Sequence, residues 1–279
     1  PLHNPANLKG VNAVTDLMQG LPQVGVFDTA FHQTMPAKAY LYAVPYELYE
    51  KYGVRRYGFH GTSHRYVSAR ALEFLGMKAE GTKVVTAHIG NGGSLAAVVD
   101  GKCVDTTMGL TPLEGVMMGT RSGDIDGGAV AFIQKKLGLD ADGISDLLNK
   151  KSGIAGLTGL SSDMRDIENA ANAGNERAQI AQDSYFYRIK KYVGAYAAAM
   201  GGIDVLVFTA GVGENQTPMR EDVCRGLEFM GIKIDAEKNA KIRGEEAIIS
   251  TPDSRVKVVV IPTDEELMIA SDTMALISK

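Results

Sequence analysis

Residues 84–99, VVTAHIGNGGSLAAVV, constrain this chain more than any other stretch. Val84, Val85 and Thr86 favour a strand and lead into His88; Gly90-Asn91-Gly92-Gly93 follows, and then the apolar run from Leu95 to Val99. Asn-Gly between two apolar runs predicts a hairpin, because both residues tolerate positive φ. Three glycines in four residues exceed what a hairpin requires. They clear side chains from the loop, so its N–H groups can approach an anion. Taken alone, the loop reads first as an ordinary hairpin. The other strand ends give it a second reading, a cradle for phosphate.

Those ends recur along the chain. Residues 2–5 read as an extended turn, 8–21 as a helix and 23–27 (QVGVF) as a strand ending on Asp28. An acid just past a strand end lies where α/β folds place their sites, although a turn or helix cap fits it equally. Residues 36–53 read as helical. Ser63 suits the N-cap of a helix running to Leu75 and closed by Gly76. His60 and His64 are four apart, but Gly61 stands where the zinc-protease pattern needs Glu, so no metal is expected there. His60, among glycines, is an imidazole open to a ligand, whereas His64 reads as capping or packing. Asp100-Gly101 turns the chain into a third strand at 102–106. Residues 109–128 form a long glycine-rich segment in which Arg121 is a candidate anion clamp, with Asp124 and Asp126 as its alternative partners.

Helices are expected at 129–137 and 144–150. Ser162 or Asp163 caps the next one. Residues 176–200 form the longest helix, with a buried stripe of Ala178, Ala181, Tyr185, Ile189, Tyr192, Tyr196 and Met200. Residues 205–208 (VLVF) read as a parallel-type strand, followed by a glycine turn at 209–215 and a helix at 218–230. Strand, glycine turn and helix present backbone donors to a nucleotide. Gln216 stands where a dinucleotide fingerprint needs its third glycine, and the chain contains no Walker A sequence. A last strand at 256–261 passes through Pro262-Thr263-Asp264 to Glu265 and Glu266, acids that also suit a helix N-terminus.

At 279 residues and net charge −4, with no basic block, nucleic acid is an unexpected partner. No apolar run approaches a membrane span. Cys103 and Cys224 form neither a disulfide framework nor a metal pattern, which fits a reducing cytoplasm. The acids, glycine loops and arginine together suit nucleotide phosphotransfer: glycine around phosphates, a carboxylate for Mg²⁺, and cations to spread transition-state charge.

The chain resembles the acetokinase family, within the sugar kinase, Hsp70 and actin fold group. The resemblance runs through Phe27-Asp28-Thr29-Ala30-Phe31-His32, Gly58-Phe59-His60-Gly61-Thr62-Ser63-His64, Ala87 to Ser94, Thr120-Arg121-Ser122-Gly123-Asp124, Ser161 to Asp166, Phe208 to Asn215, and Thr263 to Glu266. It implies an α/β, two-domain actin-like ATPase (ribonuclease H-like) fold, and ATP + acetate ⇌ ADP + acetyl phosphate by direct in-line transfer. Propionate or butyrate as acceptor, or a non-catalytic nucleotide-binding module, are the alternatives.

By the same resemblance Asp28 is the essential carboxylate, and His60 and Arg121 are two cations stabilising the transition state. Glu265 binds Mg²⁺ or Mn²⁺. His88, Ile89, Gly90, Asn91 and Gly92 form the phosphate loop. Asp163, Met164 and Arg165, with Gly211, Val212, Gly213, Glu214 and Asn215, form the adenosine site. Leu2, Phe59 and Pro112 line the acetate methyl pocket, with His3 beside it and Arg121 on the carboxylate. A homodimer is also implied. The family's opening segment has no counterpart here, so residues 1–27 and 265–279 are expected to be the remnant of a truncated first domain. Residues 28–264 would be the nucleotide-binding domain, and little or no activity is expected of this chain alone.

Overall fold

The computed structural model describes residues 4–278. Six strands form one sheet: β1 (Lys83–Ile89), β2 (Gly93–Val99), β3 (Lys102–Thr106), β4 (Val205–Thr209), β5 (Ala247–Ile248) and β6 (Lys257–Val260). Their order is β3-β2-β1-β4-β6-β5. β1 and β2 are the expected hairpin, with Ile89 opposite Gly93, so Gly90, Asn91 and Gly92 form the loop. β1, β4 and β6 run parallel, pairing His88 with Thr209 and Phe208 with Val260. The carboxyl ends of three parallel strands therefore open onto one edge, where open α/β sheets place ligands.

The sheet is buried on both faces. Val85, Ala87, Ile89, Leu95 and Ala97 pack against Ala181, Tyr185, Ile189 and Val193 of the Glu176–Met200 helix. Alternate residues Val84, Val98, Val205, Val207 and Val259 pack against Val67, Ala71 and Leu72 of the Gly61–Leu75 helix. A strand buried on both faces has no polar side, which explains the continuous apolar runs in β2 and β4. The long helix has the expected bounds. Asn175 caps it by accepting from Ala178 N at 3.0 Å, and Gly201 ends it at φ 70°.

Several local expectations are corrected. The first helix is Asn4–Leu17, not 8–21; Pro5 lies in its first turn, where no N–H is needed, so residue 5 is not part of an extended turn. Residues 23–27 are not a strand: no described neighbour pairs with them, and Phe27 is 67% exposed. Residues 36–53 split into Ala37–Tyr40 and Tyr46–Tyr52, because Pro45 cannot continue a helix. The glycine turn at 209–215 is the short helix Ala210–Asn215. The following helix is Thr217–Cys224, and a separate 3₁₀ turn, Glu228–Met230, follows Gly226 at φ 80°. β5 and the Gly153–Thr158 helix were not foreseen. The two end helices, Asn4–Leu17 and Glu265–Ile277, bury no side chain. Among the described residues no helix is long and apolar enough to cross a membrane.

Candidate active site

Asp28 and His60 are held together by backbone. Gly61 N donates to the Asp28 carbonyl at 2.9 Å, and His60 N donates to Asp28 Oδ2 at 3.0 Å. A Cβ at Gly61 would lie 2.1 Å from that carbonyl, so only glycine allows the contact. His60 takes φ 55°, a left-handed conformation uncommon for a side-chain-bearing residue. It is itself the N-cap of the Gly61–Leu75 helix, which corrects the assignment of that cap to Ser63. Ser63 lies inside the first turn, and its hydroxyl meets His88 Nδ1 at 2.7 Å and Thr263 Oγ1 at 2.8 Å.

Four histidines gather behind this turn. His60 stacks on His88 with ring centroids 4.1 Å apart. Its Nδ1 lies 2.8 Å from Ser94 Oγ, which also lies 2.8 Å from His64 Nε2. His64 Nδ1 meets Thr86 Oγ1 at 2.7 Å. His64 therefore packs, as expected, but within a polar network. His32 Nε2 donates to the Phe59 carbonyl at 2.8 Å, which leaves its Nδ1 to accept from the Cys103 thiol. Burial, then Arg121 and His32, push His60 down to about 4; burial and His60 push His88 down to about 3. His60 is thus a neutral imidazole near pH 7. Burial disfavours His60 as the second of the two expected cations.

The cation is Arg121. Its segment has no regular structure from 107 to 126, yet it is well anchored. Met118 N bonds to Arg121 O, Ser122 N to Leu148 O and Ser152 N to Thr120 O. Arg56 bonds the carbonyls of Thr107 and Met108 and pairs with Glu114 at 2.5 Å. Asp124 bonds Gly115 N and Tyr192, not Arg121, and Asp126 caps the Gly127–Leu137 helix. Arg121 Nη1 donates to the Pro112 carbonyl at 2.7 Å, which leaves Nη2 and Nε for a ligand. Burial lowers its basicity without a carboxylate to offset it.

The hairpin loop lies between these groups. A Cβ on Gly92 would be 3.3 Å from both His60 Nε2 and Arg121 Nη2. None of Gly90, Asn91, Gly92 and Gly93 has positive φ. The glycines therefore serve close approach, not turn geometry, which corrects the argument that predicted the hairpin. The Asp100-Gly101 turn does use positive φ at both positions, 52° and 73°.

A cleft of ≈ 750 Å³ opens beside the loop. Gly90, Asn91, Asp163, Met164, Arg165, Gly211, Val212 and Asn215 line it. His88, Ile89, Gly92, Gly213 and Glu214 do not. Ile89 is fully buried, and Glu214 Oε1 accepts from Ala210 N and Thr263 N, tying the end of β4 to the segment after β6. Asp163 caps the Met164–Asn172 helix and pairs with Arg165, which holds its carboxyl down at about 2. Glu168, Gln216 and Arg243 also line the cleft and were not foreseen.

Glu265 opens the last helix, and its carboxyl is raised by burial, Asp28 and Glu266. Two mutually repelling carboxylates fit a divalent cation that takes its remaining ligands from phosphate and water. Among the described residues no cluster of three or more His, Cys, Asp or Glu is placed to hold a metal. The Pro112 carbonyl meets Arg121 and the Phe59 carbonyl meets His32, whereas Leu2 and His3 lie outside the described residues. Ser63, Thr86 and Ser94 were missed by residue-type reasoning. For Thr86 and Ser94 the signal was polar side chains on an otherwise apolar strand pair, whereas Ser63 lies in the first turn of the Gly61–Leu75 helix.

The profile of the Acetokinase family matches residues 1–271. The acetate kinase of Bacteroides thetaiotaomicron is 71% identical over 279 residues, all of this chain and 70% of that protein. That of Thermotoga maritima is 64% identical over 281 residues, with the same coverage of each chain. The crystal structure of Porphyromonas gingivalis acetate kinase superposes with TM-score 0.97 at 63% identity, covering 99% of this chain and 69% of that one. A propionate kinase from Francisella tularensis superposes with TM-score 0.91 at 45% identity, covering 98% and 69%. The fold is the actin-like ATPase fold of these kinases, and the chain belongs to the acetokinase family.

Proposed function

We propose that this chain transfers the terminal phosphoryl group of ATP to acetate, reversibly, giving ADP and acetyl phosphate. The observation that carries the reading is the convergence of His60 Nε2 and Arg121 Nη2 on Gly92, beside a cleft lined by the same hairpin loop. A cation and an imidazole nitrogen facing one point suit a phosphoryl group whose charge spreads over three equatorial oxygens.

The residues divide the task. The cleft residues Asp163, Met164, Arg165, Gly211, Val212 and Asn215 hold the nucleoside and aim its phosphates at Gly90-Asn91-Gly92. Arg121, with Nη1 fixed on Pro112, presents its other nitrogens to the acetate carboxylate and the transferring group. Phe59 and Pro112 exclude water around the methyl group. Asp28 and Glu265 would hold Mg²⁺, which would neutralise charge on the phosphate oxygens. Catalysis is then mainly positioning and fixed electrostatics. Trapping acetyl phosphate as its hydroxamate tests the reaction. ATP binding with no acyl phosphate would instead make the chain a nucleotide-binding module.

Propionate is the second reading, favoured by the likeness to the Francisella propionate kinase. One methylene in an apolar pocket is worth about 1–3 kcal/mol, so competing acetate and propionate decide the preference. A cytoplasmic homodimer completes the proposal; the long Tyr-bearing helix is consistent with pairing.

A further inference from the structure

We propose that Thr86, His64 and Ser94 are positioning residues that form a one-way hydrogen-bond chain, fixing His60 in the tautomer that carries its proton on Nε2, facing the reaction centre. The chain is Thr86 Oγ1–His64 Nδ1 at 2.7 Å, His64 Nε2–Ser94 Oγ at 2.8 Å, and Ser94 Oγ–His60 Nδ1 at 2.8 Å. Thr86, His64 and Ser94 are fully buried. Among the described residues the Ser94 hydroxyl meets only these two rings, so to place its one proton it donates to one ring and accepts from the other.

Two arrangements satisfy Ser94. In one, His64 donates from Nδ1 to Thr86 and His60 donates from Nδ1 to Ser94. The Thr86 proton then has no acceptor, because among the described residues its hydroxyl meets only His64. A buried hydroxyl proton without a partner is costly. In the other, Thr86 donates to His64 Nδ1, His64 Nε2–H donates to Ser94, and Ser94 donates to His60 Nδ1. Both hydroxyl protons and the His64 proton then have acceptors, and His60 keeps its own proton on Nε2 for the reacting group. Neutral His64 is required, and burial among three other imidazoles keeps it well below its ordinary range. Through Thr86, a residue on the far side of His64 thus decides whether the reacting group meets an N–H or a lone pair.

The proposal rests on the phosphotransfer reading for its consequence, but not for its first test. In ¹⁵N-labelled protein, long-range histidine ¹H–¹⁵N correlation reads the tautomer without turnover. The expected result is a protonated Nε2 and bare Nδ1 at His60; a protonated Nδ1 overturns the proposal. The second test is kinetic. Thr86→Val removes the hydroxyl at constant shape, mixes the His60 tautomers in the same spectrum, and lowers kcat with KM for ATP and acetate unchanged. The loss stays below the roughly 10²–10³-fold expected for deleting such a donor outright. Thr86→Ser restores both the spectrum and kcat. A Thr86→Val protein with an unmixed spectrum and undiminished kcat overturns it as well. If wild-type protein shows the Nε2–H tautomer but makes no acetyl phosphate, the phosphotransfer reading fails and the chain of hydrogen bonds stands.

Discussion

At the residue scale, Gly92 and Gly61 separate function from folding. Gly92 has ordinary backbone angles, and its missing Cβ leaves room for His60 and Arg121. Gly92→Ala should therefore keep the melting temperature while lowering kcat by about tenfold or more, since small misplacements at a reacting centre cost up to about 10²-fold. Gly61→Ala meets backbone at 2.1 Å and has nowhere to go. It should destabilise the chain by about 1–3 kcal/mol or more, read as a lower urea midpoint. Arg121→Ala should lower acetyl phosphate formation by roughly 10²–10³-fold with the fold intact, because the one side-chain bond observed for it among the described residues is to a loop carbonyl.

At the element scale, local pattern was readable where the element makes its own case. The Glu176–Met200 helix had a continuous stripe, an Asn cap and a closing Gly, and its bounds agree. The β1–β2 hairpin was found for a partly mistaken reason, since its glycines answer to His60, Arg121 and Val116 across space. Elements set by distant partners were hidden. Residues 23–27 have the composition of a strand but no described ladder partner. β5 is two residues long and exists by pairing with β6. The Gly153–Thr158 helix depends on Gly153, where a Cβ would lie 2.2 Å from the Met118 carbonyl. The site divides similarly. Asp28, His60 and Arg121 stood out by residue type, whereas Ser63, Thr86 and Ser94 gain meaning only once β1, β2 and the Gly61–Leu75 helix meet.

At the scale of the whole molecule, buried histidines join the site to stability. Burial holds His60 at about 4 and His88 at about 3, and lowers His32 and His64 too. An unfolded histidine titrates near 6.5. Below that value the unfolded chain takes up protons that the folded chain refuses. The stabilisation is therefore complete above about pH 6.5 and is lost as pH falls toward 4 and then 3. For His60 and His88 together, the unfolding free energy should drop by about 4 kcal/mol between pH 7 and pH 5, at about 1.4 kcal/mol per group per unit. Urea titrations at the two pH values measure it, and equal midpoints would contradict it.

The sheet edge, the hairpin loop and the anchored Arg121 segment converge on one claim, phosphoryl transfer between ATP and acetate across Gly92. Hydroxamate trapping of acetyl phosphate, run on this chain and on Arg121→Ala with ATP, Mg²⁺ and acetate, tests it most directly. The account predicts a small but measurable yield of acyl phosphate from the first and its near-complete loss from the second. Equal yields from both, or none from a chain that still binds ATP, would contradict it.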